Sequence, residues 1–158
     1  MAMLLDFFVP LCYHRKMTDS EWQARLDQLD FHERHIEALE PDTPNPAAVR
    51  CVNSRHRTLA HLRMCQESWL EACIAFQDRH NPRLKMLHPW RVYEQRGFAQ
   101  IPWNEHLESF RSDRDRLRLF LKTADRSRSG KINANEHTIE GLVSRIVSHE
   151  HHHLFTPR

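Results

Sequence analysis

The sequence predicts an all-α protein, specifically a four-helix bundle, and three observations favour this fold class. The chain has 158 residues, which is enough for one domain with a sizeable core. Only three residues are glycine, whereas all-β folds usually need many glycines for turns and bulges. Four long segments repeat apolar residues at helical spacing. We therefore expect a single domain over residues 1–158, built from four packed helices.

The first helix is expected from about Asp19 to Leu39. Thr18 is a good N-cap, and acidic residues follow it in the first turn. A proline-rich segment, 40–46, ends the helix, because each proline disfavours helix at the residue before it. The apolar stripe of this helix comprises Trp22, Leu26, Leu29, Ile36 and Leu39.

The second helix is expected to begin near Pro46 or Ala47 and to continue to about Gln77. The connection from His80 to Ile101 contains several turn signals, and a loop of this length is often functional in a compact domain. The apolar stripe of the second helix includes Val52, Leu59, Leu62, Cys65, Trp69, Cys73 and Phe76.

The third helix is expected from about Trp103 to Thr123, and the fourth from about His137 to Leu154. A second loop, Ser127 to Ala134, precedes the fourth helix. The core-facing residues of the third helix are Phe110, Leu117, Phe120 and Leu121. On a wheel of about 100° per residue, four residues of the fourth helix fall within roughly 60° of one another. They are Leu142, Ile146, His149 and His153.

Charge and cysteine content exclude several classes of function. The net charge is +2 with histidine neutral, and acids and bases are interleaved, so we expect no nucleic-acid binding. The apolar start, Met1 to Leu11, lacks a basic n-region and is too short to span a bilayer, so we expect no membrane insertion. We interpret Met1 to Leu11 as a segment that packs on the core, or as an overpredicted start, and residues 1–16 as an N-terminal extension. Without a secretory signal, scattered cysteines favour reduced thiols in a cytoplasmic protein; they are Cys12, Cys51, Cys65 and Cys73.

Two histidines of the fourth helix extend its apolar seam, the face that carries Leu142 and Ile146. His149 and His153 lie one turn apart on one face, a spacing that suits shared binding of one metal ion. Neutral imidazole favours Zn, Ni, Cu or Fe(II) over Mg or Ca. A third ligand must come from another helix, and His61 is the best candidate because it lies among apolar residues of the second helix. Cys65 is a second candidate, although a buried cysteine is usually a small hydrophobic residue.

Ordinary explanations compete with the metal site. A histidine on an apolar face is more often a satisfied core residue than a ligand, and the run His151 to His153 is also typical of a solvated tail. Glu150 borders the seam, where it would either orient an imidazole N–H or lie on the surface, and we favour the surface. Exposed or boundary positions are expected for His14, His32, His35, His56 and His106.

Four short segments carry a family resemblance through their order and spacing. They are Leu59-Ala60-His61-Leu62 followed by Trp69; the connection from His88 to Gly97; Trp103 followed by Phe110, Arg111 and Arg114; and 136–142 leading to 149–154. Together they extend over about two thirds of the chain. In this arrangement the chain resembles the DinB/YfiT-like superfamily of helical-bundle metalloproteins.

The resemblance implies an up-down-down-up four-helix bundle, often a homodimer, and it does not imply DNA binding. It also implies a divalent metal ion, commonly nickel or zinc, held by His61, His149 and His153. Characterised members include S-transferases and an isomerase that use low-molecular-weight thiols such as bacillithiol or mycothiol. The chain departs from the family pattern because no tryptophan stands just before the second helix, and because residues 1–16 have no clear counterpart.

A metal held by three imidazoles keeps a fourth position for water or substrate, which is typical of a catalytic site. A metal ion can hold a thiol as its nucleophilic thiolate form. The leading hypothesis is therefore a metal-dependent thiol transferase that acts on a small molecule, with the connection from His80 to Ile101 shaping its pocket. The alternatives are a metal-dependent hydrolase of a small substrate, and a non-catalytic metal-binding bundle with a role in stress or metal handling. The sequence identifies no catalytic acid or base.

Overall fold

A computed structural model describes residues 16–41 and 55–156 of the chain. In chain order its elements are α1 (Asp19–Glu37), α2 (Arg55–Asp78), β1 (Arg83–Leu84), α3 (Pro89–Gln95), a 3₁₀ turn (Phe98–Gln100), α4 (Trp103–Leu121), β2 (Ser129–Ile132), β3 (Asn135–Thr138) and α5 (Ile139–Phe155). The four long helices α1, α2, α4 and α5 form the bundle, which confirms the predicted fold class.

Contacts at both ends of α1 show that it runs parallel to α5. Near the starts of the two helices, the backbone N–H of Met17 donates to Glu140 Oε1 at 2.7 Å. Near their ends, the rings of His35 and Phe155 lie 4.7 Å apart. The chain therefore passes along the bundle in the same direction in its first and last helices.

The two middle helices are parallel to each other and run against the outer pair. Near the starts of α2 and α4, Arg63 Nη1 lies 3.0 Å from His106 Nδ1, and further along both helices Arg116 Nη2 donates to Glu71 Oε1 at 3.0 Å. The early part of α2 contacts the late part of α5. These directions give the up-down-down-up topology that the family resemblance implied.

The helix ends lie close to the predicted positions. Thr18 caps α1 as expected, because its Oγ accepts from the Glu21 N–H at 3.2 Å while Glu21 Oε2 accepts from the Thr18 N–H at 2.8 Å. The other predicted ends differ from α1, α4 and α5 by at most two residues. The predicted start of the second helix near Pro46 or Ala47 lies outside the described residues, as do residues 1–15.

A small three-stranded sheet and the short helix α3 were not predicted. The strand order is β1-β2-β3, with β1 parallel to β2 and β2 antiparallel to β3. The turn between β2 and β3 is Asn133-Ala134, whose φ angles are 48° and 72°. Two positive φ angles are typical of a hairpin turn, but the usual glycine is replaced by alanine here. The hairpin therefore has no strong local signal in the sequence.

The bundle core is built from apolar side chains of all four long helices. The largest buried cluster includes Leu29, Leu70, Phe76, Leu117, Leu142 and Ile146. A second cluster, beneath α3, comprises Ala60, Met64, Cys65, Tyr93 and Phe98. In the part of the chain that the structure describes, no helix combines the length and apolar character needed to cross a bilayer.

Candidate metal centre

Three histidines from two antiparallel helices meet near the start of α2 and the end of α5. One ring nitrogen from each of His61, His149 and His153 lies within 4.8 Å of the other two. The Nε2 atoms of His61 and His149 are 2.9 Å apart. The ring centroid of His153 is 4.7 Å from that of His61 and 4.5 Å from that of His149. The structure thus brings together the three side chains that were predicted as ligands.

The apolar seam of α5 explains why two histidines face α2. Leu142 and Ile146 on this seam are fully buried, and His149 and His153 continue the same face. On α2, His61 stands between buried residues. All three histidines are partly exposed, so the apolar packing positions them while solvent or a ligand can still reach them.

Burial keeps the His149 imidazole neutral. Burial lowers the pKa of His149 to about 2, and the neighbouring His61 and His153 also lower it. Its Nδ1 atom is buried and has no hydrogen-bond partner among the described residues, which is costly unless a ligand or water satisfies it. A neutral imidazole is the form that binds a metal. The residues present therefore fit a divalent ion that prefers nitrogen ligands.

Cys65 and Trp69 border the three histidines. The Trp69 ring meets the His149 ring edge-on at 5.0 Å, and Cys65 Sγ lies 3.7 Å from His61 Nε2. Burial raises the pKa of Cys65 to about 12, and the Glu150 charge also raises it, so the thiol stays protonated. Because Cys65 is not in the group whose ligand atoms converge, the geometry favours His61 over Cys65 as the third candidate ligand.

Glu150 is buried, so the expectation of a surface acid was wrong. Its side chain is 2% exposed, and its two carboxylate oxygens face different partners. Arg114 of α4 donates to Oε1, and His32 Nδ1 of α1 lies 3.2 Å from Oε2. A buried carboxylate persists only with such charged or hydrogen-bonded partners. These partners lie on other helices, so the sequence around Glu150 gives no sign of them.

Two further histidines are buried where exposed or boundary positions were expected. His32 faces Glu150, and His106 is enclosed between α2 and the 3₁₀ turn. Arg63 Nη1 donates to His106 Nδ1 at 3.0 Å, while His106 Nε2 donates to the Phe98 carbonyl at 3.0 Å. Both ring nitrogens are satisfied, so His106 is structural. Of the remaining three, His35 and His56 are half-buried as expected, and His14 lies outside the described residues.

An apolar pocket adjoins the three histidines. One wall is the α2 face that carries Met64, Cys65, Ser68 and Trp69, and the other is segment 86–92. The cavity volume of the pocket is about 60 Å³, and no charged side chain among the described residues lines it. The connection from His80 to Ile101 was expected to shape a pocket, and it contributes this second wall. A polar nitrogen cluster and an apolar cavity thus stand side by side, as in many small-molecule sites.

Comparison with known proteins identifies the fold. No family model and no curated protein matches the chain. Among solved structures, the chain is similar to YfiT from Bacillus subtilis, described as a probable metal-dependent hydrolase with an unusual four-helix bundle topology. The TM-score is 0.78 at 12% sequence identity, and the match covers 90% of this chain and 87% of YfiT. The chain therefore has the same fold as YfiT, and this confirms the fold that the family resemblance implied.

Proposed function

We propose that the protein is a divalent-metal enzyme that acts on a small molecule, with His61, His149 and His153 as the metal ligands. The convergence of three ring nitrogens from two helices, all within 4.8 Å of one another, carries the proposal. Zinc or nickel is the expected ion because neutral imidazoles suit borderline divalent metals.

A divalent ion bound there would act as a Lewis acid and lower the pKa of a coordinated thiol or water. The histidines, Trp69 and the apolar pocket each have a separate role around this ion. The three histidines supply the ligands and, being only three, keep one position for substrate. Trp69 shields one side of His149 from solvent, since its ring packs against it at 5.0 Å. The apolar pocket receives the part of the substrate that does not react.

We propose transfer of a low-molecular-weight thiol to an electrophile as the reaction. The thiol sulfur forms a bond to an electrophilic carbon, the leaving group departs with its bonding electron pair, and the thiol proton passes to solvent. Once the thiol is ionised, this reaction needs no protein base. The pocket supports this choice, because none of the described residues that line it is a carboxylate or a histidine.

Hydrolysis of a small substrate is the second candidate. Its support is the description of YfiT, a protein of the same fold, as a probable metal-dependent hydrolase. A metal-binding bundle without catalytic activity is the third. The homodimer and the cytoplasmic location that were expected from the sequence stay predictions.

Metal analysis of tag-free protein, purified without added metal or chelator, tests the proposed ligands. We expect about one equivalent of zinc or nickel per chain, as for a single three-histidine site. His61→Ala and His153→Ala should lose it, whereas the exposed neighbour His152→Ala should retain it. Metal retained by His61→Ala would contradict the site, as would wild-type protein that neither contains nor takes up zinc or nickel.

Turnover assays with the metal-loaded protein separate the candidate reactions. Product that forms only when both a thiol and a model electrophile are present, and that is lost in His153→Ala, would support thiol transfer. Cleavage of an ester or amide without any thiol would support the hydrolase instead. Protein that unfolds on metal removal and shows neither activity would support the non-catalytic bundle.

A further inference from the structure

The apolar pocket shares two of its residues with the candidate metal centre. Cys65 and Trp69 both line the pocket. Cys65 Sγ lies 3.7 Å from His61 Nε2, and the Trp69 ring lies 5.0 Å from the His149 ring. A group held in the pocket is therefore separated from the candidate ligands by no more than one side chain.

The chemistry of the lining favours uncharged groups. Met64 and Met86 present thioethers from opposite walls, and Leu87 and Val92 add aliphatic surface. Met side chains adapt readily to the shape of an apolar ligand. A charged group placed here would lose its hydration without gaining a partner, because no charged side chain among the described residues lines the pocket. The cavity volume of about 60 Å³ suits a short apolar group rather than a whole substrate molecule.

The second wall of the pocket is anchored to the β-hairpin. Asn133 Oδ1 accepts from the Met86 N–H at 3.0 Å, and Asn133 Nδ2 donates to the Met86 carbonyl at 2.9 Å. The backbone N–H of Asn133 donates to the Leu84 carbonyl at 3.0 Å. These three bonds hold segment 84–86 in place, so little ordering is needed when a ligand enters the pocket.

We propose that this pocket binds the uncharged, apolar part of the electrophilic substrate, whose reacting carbon lies at the three-histidine centre. The proposal rests on the proposed function and extends it to the class of electrophile, namely small molecules with an aliphatic or aromatic group. The thiol partner of the reaction occupies the polar side of the centre. Because the pocket lining favours uncharged groups, the electrophile binds in the pocket and the thiol binds on the polar side of the three-histidine centre.

Methionine methyl resonances test binding in the pocket without any turnover. Zinc-loaded protein with isotope-labelled methionine methyl groups is titrated with n-butanol, n-pentanol and n-hexanol. The signals of Met64 and Met86, assigned with the Met64→Leu and Met86→Leu variants, should shift. The signal of Met17 should not, because Met17 does not line the pocket. Each added methylene should tighten binding about fourfold, as expected for burial of one CH₂.

Cobalt(II) in place of zinc tests whether the pocket belongs to the metal centre. Bound alcohol should show faster proton relaxation with the cobalt protein than with the zinc protein, because the paramagnetic ion would be close. Elemental analysis of both samples comes first, so failure of the protein to take up metal is recognised as failure of the proposed function. Methyl shifts without faster relaxation would overturn the further proposal and leave the metal site intact.

Two matched variants complete the test. Ser68→Phe places a phenyl group inside the pocket and should abolish the methyl shifts while metal content stays unchanged. Ser112→Phe adds the same group on the exposed face of α4 and should bind the alcohols as the wild type does. Unchanged shifts in Ser68→Phe, or equal shifts at Met17 in the wild type, would overturn the proposal.

Discussion

The Nε2 atoms of His61 and His149 lie 2.9 Å apart, although 88 positions separate the two residues in the chain. A neutral imidazole can accept a proton or bind a metal through one nitrogen only, so two facing nitrogens must share one proton or one ion. With His153 one turn beyond, the three rings form a candidate metal site between α2 and α5. Binding of an ion to this site should therefore stabilise the whole bundle.

Zinc should raise the melting temperature of the metal-free protein. At a free zinc concentration 100 times the dissociation constant, the expected gain in unfolding free energy is about 2.7 kcal/mol. For a chain of this size, such a gain corresponds to about 5 to 10 °C. Differential scanning calorimetry measures the shift. His153→Ala should show no shift and His152→Ala the full one; equal shifts in both variants would point to zinc binding elsewhere.

Loss of one partner from the buried Arg114–Glu150 pair should destabilise the protein severely. Both side chains are at most 2% exposed, so Glu150→Ala leaves the Arg114 guanidinium buried beside fewer acceptors. The expected cost is about 3–5 kcal/mol in urea unfolding. The exposed pair Arg111–Glu37, which joins α4 to α1, serves as the control, and Arg111→Met should cost less than about 1 kcal/mol. Similar costs for the two variants would contradict this interpretation.

Acidification should weaken the fold partly through His106. Burial lowers the pKa of His106 to about 4, whereas an imidazole in the unfolded chain titrates near about 6.5. Between these values the unfolded chain binds a proton that the folded protein does not, so unfolding free energy falls as pH falls from about 6.5 to about 4. The contribution of this one residue is at most about 3 kcal/mol.

Urea unfolding of His106→Gln at several pH values isolates this contribution. The glutamine does not titrate, so stability should fall less steeply across that pH window than in the wild type. The exposed His80 serves as a control, since His80→Gln should keep the wild-type slope. Parallel curves for wild type and His106→Gln would show that His106 does not set the acid sensitivity.

Gly130→Ala should destabilise the junction between sheet and bundle. A Cβ at this position would lie 2.5 Å from Phe76 Cε1 and 2.9 Å from Pro82 Cγ, and Phe76 is fully buried. Overpacking of this kind costs about 1–3 kcal/mol, measurable as a lower urea midpoint. In a Phe76→Leu background the added methyl has more room, so the same substitution should cost less. Additive costs in the double variant would mean that the clash with Phe76 is not the cause.

The four long helices and the pair His149 and His153 follow from local sequence alone. A helix forms where apolar residues recur at its period and caps mark its ends, and both signals lie within a few turns of chain. The Thr18 cap and the seam of Leu142 and Ile146 are signals of this kind. The same periodicity places two histidines on the buried face of one helix without reference to any other element.

Tertiary structure alone decided the burial of Glu150, the hairpin at Asn133-Ala134 and the approach of His61 to His149. Each depends on groups far away in the chain: Arg114 and His32 satisfy the buried carboxylate, and β1 provides the parallel neighbour of β2. A local pattern reports which face of an element is apolar, but it does not report what the opposing element presents there. The partners of a buried charge, and the third member of a shared site, exist only once the helices have packed.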